Sequence, residues 1–280
     1  MLIVVEKKVP NSKKAESPTG TLFDQISGYW TEIADAHDTD KQIKFVKDHS
    51  PANCLTLDLN CGSGRHAIRL SEENRIVVGL DISSRLLKIA KDRAIAGKSN
   101  LWLVRADMRF LPFRSGIFDV ALSLDSSFGY LPSEDDDTVS LSEIARTLAL
   151  SGVFLLDVFR GEYMLSQHRR RFVLRDVFFG LARFPQFSKL FHWREYPSFY
   201  MLQKRFVMVK EKRLFDTWVF RDKRKSKVIV VHHVVRLYTL SKLESLLNKG
   251  RLKVTKTYGS YEGNEIDLNS RRLIVIAVKA

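Results

Sequence analysis

From residue 53 onward the chain alternates between two kinds of segment. Short apolar runs, "NCLTLDL" (53–59), "RIVVGLD" (75–81), "NLWLVRAD" (100–107), "IFDVALSLD" (117–125) and "GVFLLDVF" (152–159), have the length and β-branched content of buried strands. Between them "RHAIRLSEE", "SSRLLKIAKDRAIAG" and "EDDDTVSLSEIARTLAL" (134–150) carry helical spacing. Ser83 or Ser84 suits an N-cap, Gly97 a C-terminal stop, and the acids from Glu134 suit a positive helix start. Upstream, "LFDQISGYW" and "DKQIKFVKDH" are two short amphipathic pieces within 21–48. Strands alternating with helices predict an α/β fold with a doubly wound, mostly parallel sheet.

After Phe159 the pattern changes. Residues 160–198 are rich in Arg, Phe and Tyr and show no assignable period. "FYMLQKRFVMVK", "RLFDTWVF" and "KVIVVHHVVRLYTL" are β-rich, with "RDKRKSK" (221–227) as a polar turn, and predict an antiparallel β insertion, a cap, after the fifth strand. A helix over 241–250 and two strands, "RLKVTKTYGSY" and "RRLIVIAVKA", follow and would add an antiparallel edge. The expected organisation is a mobile N-terminal arm (1–20), a main domain (21–159 and 239–280) and a cap (160–238).

Charge sharpens that division. The 280 residues carry a net charge of +14. Residues 160–280 hold 27 Lys/Arg and 10 Asp/Glu, a net +17, and residues 1–159 hold 19 and 22, a net −3. A basic second part suits an anionic substrate or RNA, and equally a solvated lysine-rich surface. The chain has no apolar run of roughly 18 residues, so no membrane span is expected, and the N-terminus lacks signal-peptide features. Cys54 and Cys61 form neither a zinc spacing nor a disulfide framework, which suits reduced thiols and a cytoplasmic location.

The chemistry concentrates in "LDLNCGSGRHAIRL" (57–70). Gly62-Ser63-Gly64-Arg65-His66-Ala67 reads G-x-G-x-x-A between strand and helix, and Asp81 ends the next strand where an acid grips ribose hydroxyls. Asp58, just before the turn, would repel a pyrophosphate and suits a ligand bearing an ammonium and a sulfonium. S-adenosylmethionine has both. Asp107 can accept from an adenine amino group, with the Met108 amide beside it.

With "VVGLDIS", "RADMRFLPF", "FDVALSLDSSFGYL" and "SGVFLLDVF", these segments resemble the class I S-adenosylmethionine-dependent methyltransferases. The resemblance covers about residues 20–160 and resumes at 239–280, where it is similar to small-molecule N-methyltransferases of the amino-sugar or glycine type. It implies a Rossmann-like sheet and a cofactor site in which Asp58, Asn60, Cys61, Gly62 and Gly64 cradle the methionine part. Asp81 and Ile82 would hold the ribose, Asp107 and Met108 the adenine, and Leu124 and Asp125 the amino-acid end, with Tyr29 closing over the cofactor. The chain departs from the family at Asn60, where glycine is usual; asparagine is the side chain that best tolerates a positive φ.

Methyl transfer is an in-line displacement that needs alignment more than a covalent nucleophile. Candidate bases are Tyr29, Tyr130, Tyr163, His168, His232 and His233. His232 and His233 are adjacent in a β-run and so point to opposite faces. The strand after Asp119 ends "SLDSSF", without the Asn/Asp-Pro-Pro-aromatic pattern of adenine or glutamine amino-nitrogen methylation, and both cysteines lie in the cofactor half, which disfavours a cysteine nucleophile. A small-molecule N- or O-acceptor is the first expectation, with no membrane partner and a homodimer left open. The aromatic-basic runs "RRRFVLR", "FHWREY" and "FRDKRK" keep an RNA methyltransferase open; Asn60 keeps open a non-catalytic binding module, and a nicotinamide-dependent oxidoreductase is opposed by Asp58 and Asp107.

Overall fold

The computed structural model describes residues 18–73, 75–166 and 191–280. His168, Phe172 and "RRRFVLR" lie outside the described residues, as does most of the expected arm (1–17). Three helices come first: α1 (Pro18–Gln25), α2 (Ser27–Asp35) and α3 (Thr39–Asp48). Then β1 (Leu55–Leu59), α4 (Arg65–Ser71), β2 (Ile76–Asp81), α5 (Ser84–Ala96), β3 (Leu101–Arg105), β4 (Phe118–Ser123), α6 (Glu134–Thr147) and β5 (Leu148–Phe159) alternate. The cap contributes β6 (Phe191–Glu195), β7 (Phe199–Met208), β8 (Arg213–Asp222) and β9 (Val228–Arg236), before α7 (Leu240–Lys249), β10 (Leu252–Tyr258) and β11 (Arg272–Lys279).

The main sheet has seven strands in the order β10-β11-β5-β4-β1-β2-β3. β3, β2, β1, β4 and β5 are mutually parallel. Of the two final strands only β11 runs antiparallel to β5; β10 pairs antiparallel with β11 and is therefore parallel to the rest, so the expected antiparallel edge is a single inserted strand. Strand order reverses between β1 and β4, and that switch point opens a crevice at the C-terminal strand ends. Alternate side chains fill two layers. Leu55, Leu57 and Leu59 join Leu141, Ile144, Leu246 and Leu247 on the face of α6 and α7, while Val77, Val120 and Leu122 join Ile43, Val46 and Leu70 on the face of α3 and α4.

Caps set several boundaries. The Ser83 hydroxyl accepts from Leu86 N at 3.2 Å and starts α5. Gly97 ends that helix in an ordinary right-handed conformation, and the left-handed residue is Lys98 (φ 52). A reciprocal box between Ser133 and Asp136 starts α6. Residues 148–150, expected in that helix, instead begin β5, because Leu148 turns extended (ψ 141) and pairs with Phe118. α1 begins at Pro18, so residues 18–20 of the expected arm are helix, with Gly20 buried against Ile82.

The cap is a separate four-stranded antiparallel sheet, β6-β7-β8-β9. One face buries Phe199, Met201, Trp218, Phe220 and Val231 against Ile26 and Ile33 of the α1–α2 segment. The cap thus rests on those helices.

Candidate active site

A cleft lies at the C-terminal ends of β1, β2 and β4. The turn after β1 forms its floor. Asn60 (φ 55), Gly62 (φ 57) and Gly64 (φ 79) are all left-handed, so the asparagine adopts the conformation for which glycine would be usual. Its Nδ2 donates to Ser127 O at 3.3 Å, tying the turn to the loop after β4. Gly64 does not line the cleft; a Cβ there would meet Ala90 Cβ at 3.0 Å, so its role is close helix packing. Cys61 lines the cleft but is buried above Gly79, where an added Cβ would lie 2.9 Å from its Sγ. Burial and the nearby Asp81 and Asp58 charges push its thiol pKa well up, so this cysteine packs and does not react.

Asp58 is 1% exposed and lines the cleft, and its Oδ2 has no hydrogen-bond partner among the described residues. Burial pushes its pKa up to about 7; Arg65 pulls the other way and Asp81 adds to the rise. Asp81 accepts from Gly62 N and Ser83 N, each at 2.8 Å, and so couples the glycine turn to the start of α5. Burial raises its pKa against those two amides. Ile82, Met108 and Leu124 also line the cleft. Asp107 does too, but the Arg109 fork grips both its oxygens (Nε 3.1 and 3.2 Å, Nη2 2.7 Å). Only the remaining lone pairs of Asp107 are open to a ligand in the cleft.

Asp125 follows β4 in a left-handed conformation (φ 58), as does Ser126 (φ 59), a strained pair for non-glycine residues. Three side chains hold it: His37 Nδ1 at 2.8 Å, Arg65 Nη2 at 3.0 Å and Arg272 Nη2 at 3.2 Å. Burial alone would raise its carboxyl, but the His37 hydrogen bond and the two arginine charges outweigh that and hold it well below the usual range. Arg65 also donates to Gln42 Oε1 at 2.6 Å, and the same oxygen accepts from His66 Nε2 at 2.8 Å.

Several expectations are corrected. Tyr29 does not reach the cleft: it stacks on Phe220 at 5.1 Å and donates to Asp222 Oδ2 at 3.0 Å, so it joins α2 to the cap. The next residue, Trp30, lines the cleft instead, with Thr19 and Phe23 of α1. One residue of helical rotation separates the two, and the pattern "SGYW" offers both rings. His232 is exposed on the outer face of β9 and bonds Thr217 Oγ1 at 2.9 Å. His233 faces inward, 7% exposed, behind Tyr130, which lines the cleft. Tyr163 lies outside the cleft beneath the Arg271 guanidinium. Among the described residues, none from 191–238 lines the cleft, so the cap shapes it only through α1, α2 and Tyr130. Arg65 and His66 were visible inside the glycine motif as residues but carried no signal of their function; their role emerges only from the fold.

Residues 56–152 match the family model described as methyltransferase domain. Two relatives are each similar over about half of the chain. A putative methyltransferase, YqeM, from Bacillus subtilis is 28% identical over 49% of this chain and 55% of its own length. A glycine/sarcosine N-methyltransferase from Parasynechococcus marenigrum is 35% identical over 46% of this chain and 45% of its own. The chain thus spans about half the length of the curated relatives it matches. The fold likeness extends further: the crystal structure of an S-adenosylmethionine-dependent methyltransferase from Clostridium acetobutylicum superposes with TM-score 0.72 at 18% identity, covering 92% of this chain and 99% of that one. The two chains thus share a fold, a Rossmann-like, mostly parallel sheet.

Proposed function

We propose that the chain is an S-adenosylmethionine-dependent methyltransferase that modifies a nitrogen or oxygen of a small molecule. The observation that carries this reading is the buried, unpartnered Asp58 Oδ2 in the cleft wall beside the left-handed glycine turn. An ammonium satisfies that oxygen, whereas a pyrophosphate at the turn would face its charge. The other groups fit the same ligand. Arg65 lines the cleft, and its Nη2, ion-paired with Asp125 Oδ2 at 3.0 Å, would share its charge with a ligand carboxylate. Asp81 keeps lone pairs for ribose hydroxyls, and Asp107 with the Met108 amide suits an adenine edge.

When bound, the cofactor supplies an electrophilic methyl on sulfur. The protein's part is alignment and exclusion of water. Asp58 and Arg65 would orient the amino-acid end, and Asp81 would fix the ribose. Phe23, Trp30 and Tyr130 give the open side an aromatic wall of the kind that encloses small ligands. Burial keeps the Tyr130 phenol protonated, which makes it a wall and hydrogen-bond donor rather than a base.

The test is transfer of radiolabelled methyl from the cofactor into a fractionated cell extract, with calorimetry against S-adenosylmethionine and NADH. Label is expected in the small-molecule fraction, with binding of the first ligand only. Label confined to RNA or protein would overturn the acceptor class, and NADH binding without S-adenosylmethionine binding would overturn the activity. The RNA reading has one supporting observation. The outward cap face exposes Trp193 (60%), which stacks on Tyr200 beside Lys223, and, towards the other end of the strands, Phe206 (37%). That face is turned away from the cleft side of the cap, and the closed aromatic wall favours the small molecule.

A further inference from the structure

The cap sheet has two faces, and the inner one packs on α1 and α2 through Phe199, Trp218 and Phe220. The outer face belongs to the alternate residues of each strand. Trp193, Leu202, Val219 and Val230 stand side by side across β6, β7, β8 and β9 as one apolar row. Phe206, Phe215 and Val234 form a second, and the polar row Lys204, Thr217 and His232 lies between them. Trp193 is 60%, Val230 49% and Phe206 37% exposed. No side chain of the two apolar rows joins a hydrophobic core of the described residues. Exposed apolar side chains gathered on one face mark a contact surface.

A sheet face is well covered by a second sheet about 10 Å away with its strands roughly aligned. The seven-stranded sheet cannot be that mate, because helices pack on both its faces. A second copy of the chain brings the same uncovered face, and the pattern is complementary to itself. A twofold axis running along the strands, between β7 and β8, lays β7 of one copy over β8 of the other and β6 over β9. Leu202 of one copy then faces Val219 of the other, Phe206 faces Phe215, and Trp193 faces Val230. Lys204 faces Thr217 and Arg221 faces Tyr200, so no like charges oppose each other in these rows. Strands of up to 10 residues make a face of roughly 500 Å² per copy, at about 3.3 Å per residue and about 4.8 Å per strand. Two such faces remove about 1,000 Å², the size at which specific interfaces begin.

We propose that the outer cap face is the interface of a twofold homodimer, in which two caps stack face to face as a β-sandwich. The interface is independent of the reaction carried out in the cleft. It clamps each cap between the other copy and its own α1 and α2, the helices that wall the cleft.

Sedimentation velocity of the full chain at about 10 µM tests it, at low salt and at about 1 M salt. Wild type should sediment with twice the mass of the chain under both conditions, because the contact is apolar. A monomer, or an association that high salt abolishes, overturns the proposal. Leu202→Lys and Val219→Glu should each be monomeric alone, and an equimolar mixture should recover the dimer, since each lysine then faces a glutamate. Dimers that persist in either variant alone overturn it, as does a mixture that stays monomeric while both variants keep the wild-type circular dichroism. Trp193→Glu alters an exposed position, so it holds the test open even if the central variants fail to fold. It should weaken dimerisation at least about tenfold, and an undiminished dimer overturns the interface. Ile95→Lys, at a 66% exposed position on α5, should leave the dimer intact, and dissociation there would move the interface off the cap.

Discussion

Asp58 shows how one buried oxygen can serve binding at the expense of stability. Its pKa of about 7 exceeds the ordinary aspartate value, so its protonated form is the one folding favours. The stability it contributes is complete below about pH 4 and is lost as pH rises through about 7. Asp58→Asn should therefore melt higher than wild type at pH 8, by the equivalent of roughly 2–4 kcal/mol, and should lose cofactor affinity at least tenfold. Differential scanning calorimetry and titration calorimetry read the two effects, and a variant that is less stable at pH 8 would refute the account. Because an ammonium needs the ionised carboxylate, wild-type affinity for S-adenosylmethionine should fall progressively as pH drops below about 7. Asp81 behaves differently. It holds two backbone amides as well as the proposed ribose, so Asp81→Ala should cost about 1–3 kcal/mol of stability in addition to weakening the cofactor at least tenfold. Unchanged affinity in a folded Asp81→Ala protein would remove it from the site.

At the scale of elements, the parallel strands and their helices were legible because each is a short local pattern with its own punctuation. The glycine turn was legible for the same reason. Its left-handed residues, the acid before it and the acid closing the next strand are all readable from spacing. What spacing does not carry is packing between elements. Nothing in "SGYW" says that Trp30 and not Tyr29 faces the cleft, since that depends on how α2 is wedged between the cleft and the cap. Arg65 and His66 gain their roles from Gln42 on α3, and Asp125 from His37 and Arg272. Residues 148–150 continued a helical pattern and were claimed by strand pairing. Gly79 is a further case, an unremarked strand glycine that supports the turn from below. Gly79→Ala would push on Cys61 Sγ and Leu103 Cδ2 and should cost about 1–3 kcal/mol, with a matching loss of cofactor affinity measurable by calorimetry. A neutral result in both would show that the turn does not depend on that close approach.

Taken as a whole, the molecule separates a nearly neutral first part (1–159, net −3) from a basic second part (160–280, net +17), and the structure gives part of that charge local work. Lys223 bonds Glu195 Oε1 at 2.8 Å and Tyr196 O, and Asp222 accepts the Arg224 and Lys225 amides, so the 221–227 turn is organised by its own cap. RNA binding at physiological salt is accordingly expected to be weaker than micromolar, and the Lys223, Arg224 and Lys225 to Ala triple variant should change methyl transfer to a small acceptor by less than about twofold. Filter binding at rising salt checks the first; submicromolar binding lost in the triple variant would restore the RNA acceptor.

The place of β11 has a consequence for the order in which the molecule can be completed. That strand lies inside the main sheet, between β5 and β10, yet it follows every other strand along the chain. Until it arrives, β5 presents an unpaired apolar edge, and Asp125 and Asp157 lack Arg272. A nascent chain leaving the ribosome would thus hold a nearly assembled cleft with an open seam beside it, a state that invites strand capture by a neighbouring chain. Emergence of β11 would close the seam and supply the missing cation in one event, so chaperone dependence during synthesis should concentrate in the interval before residue 272 emerges.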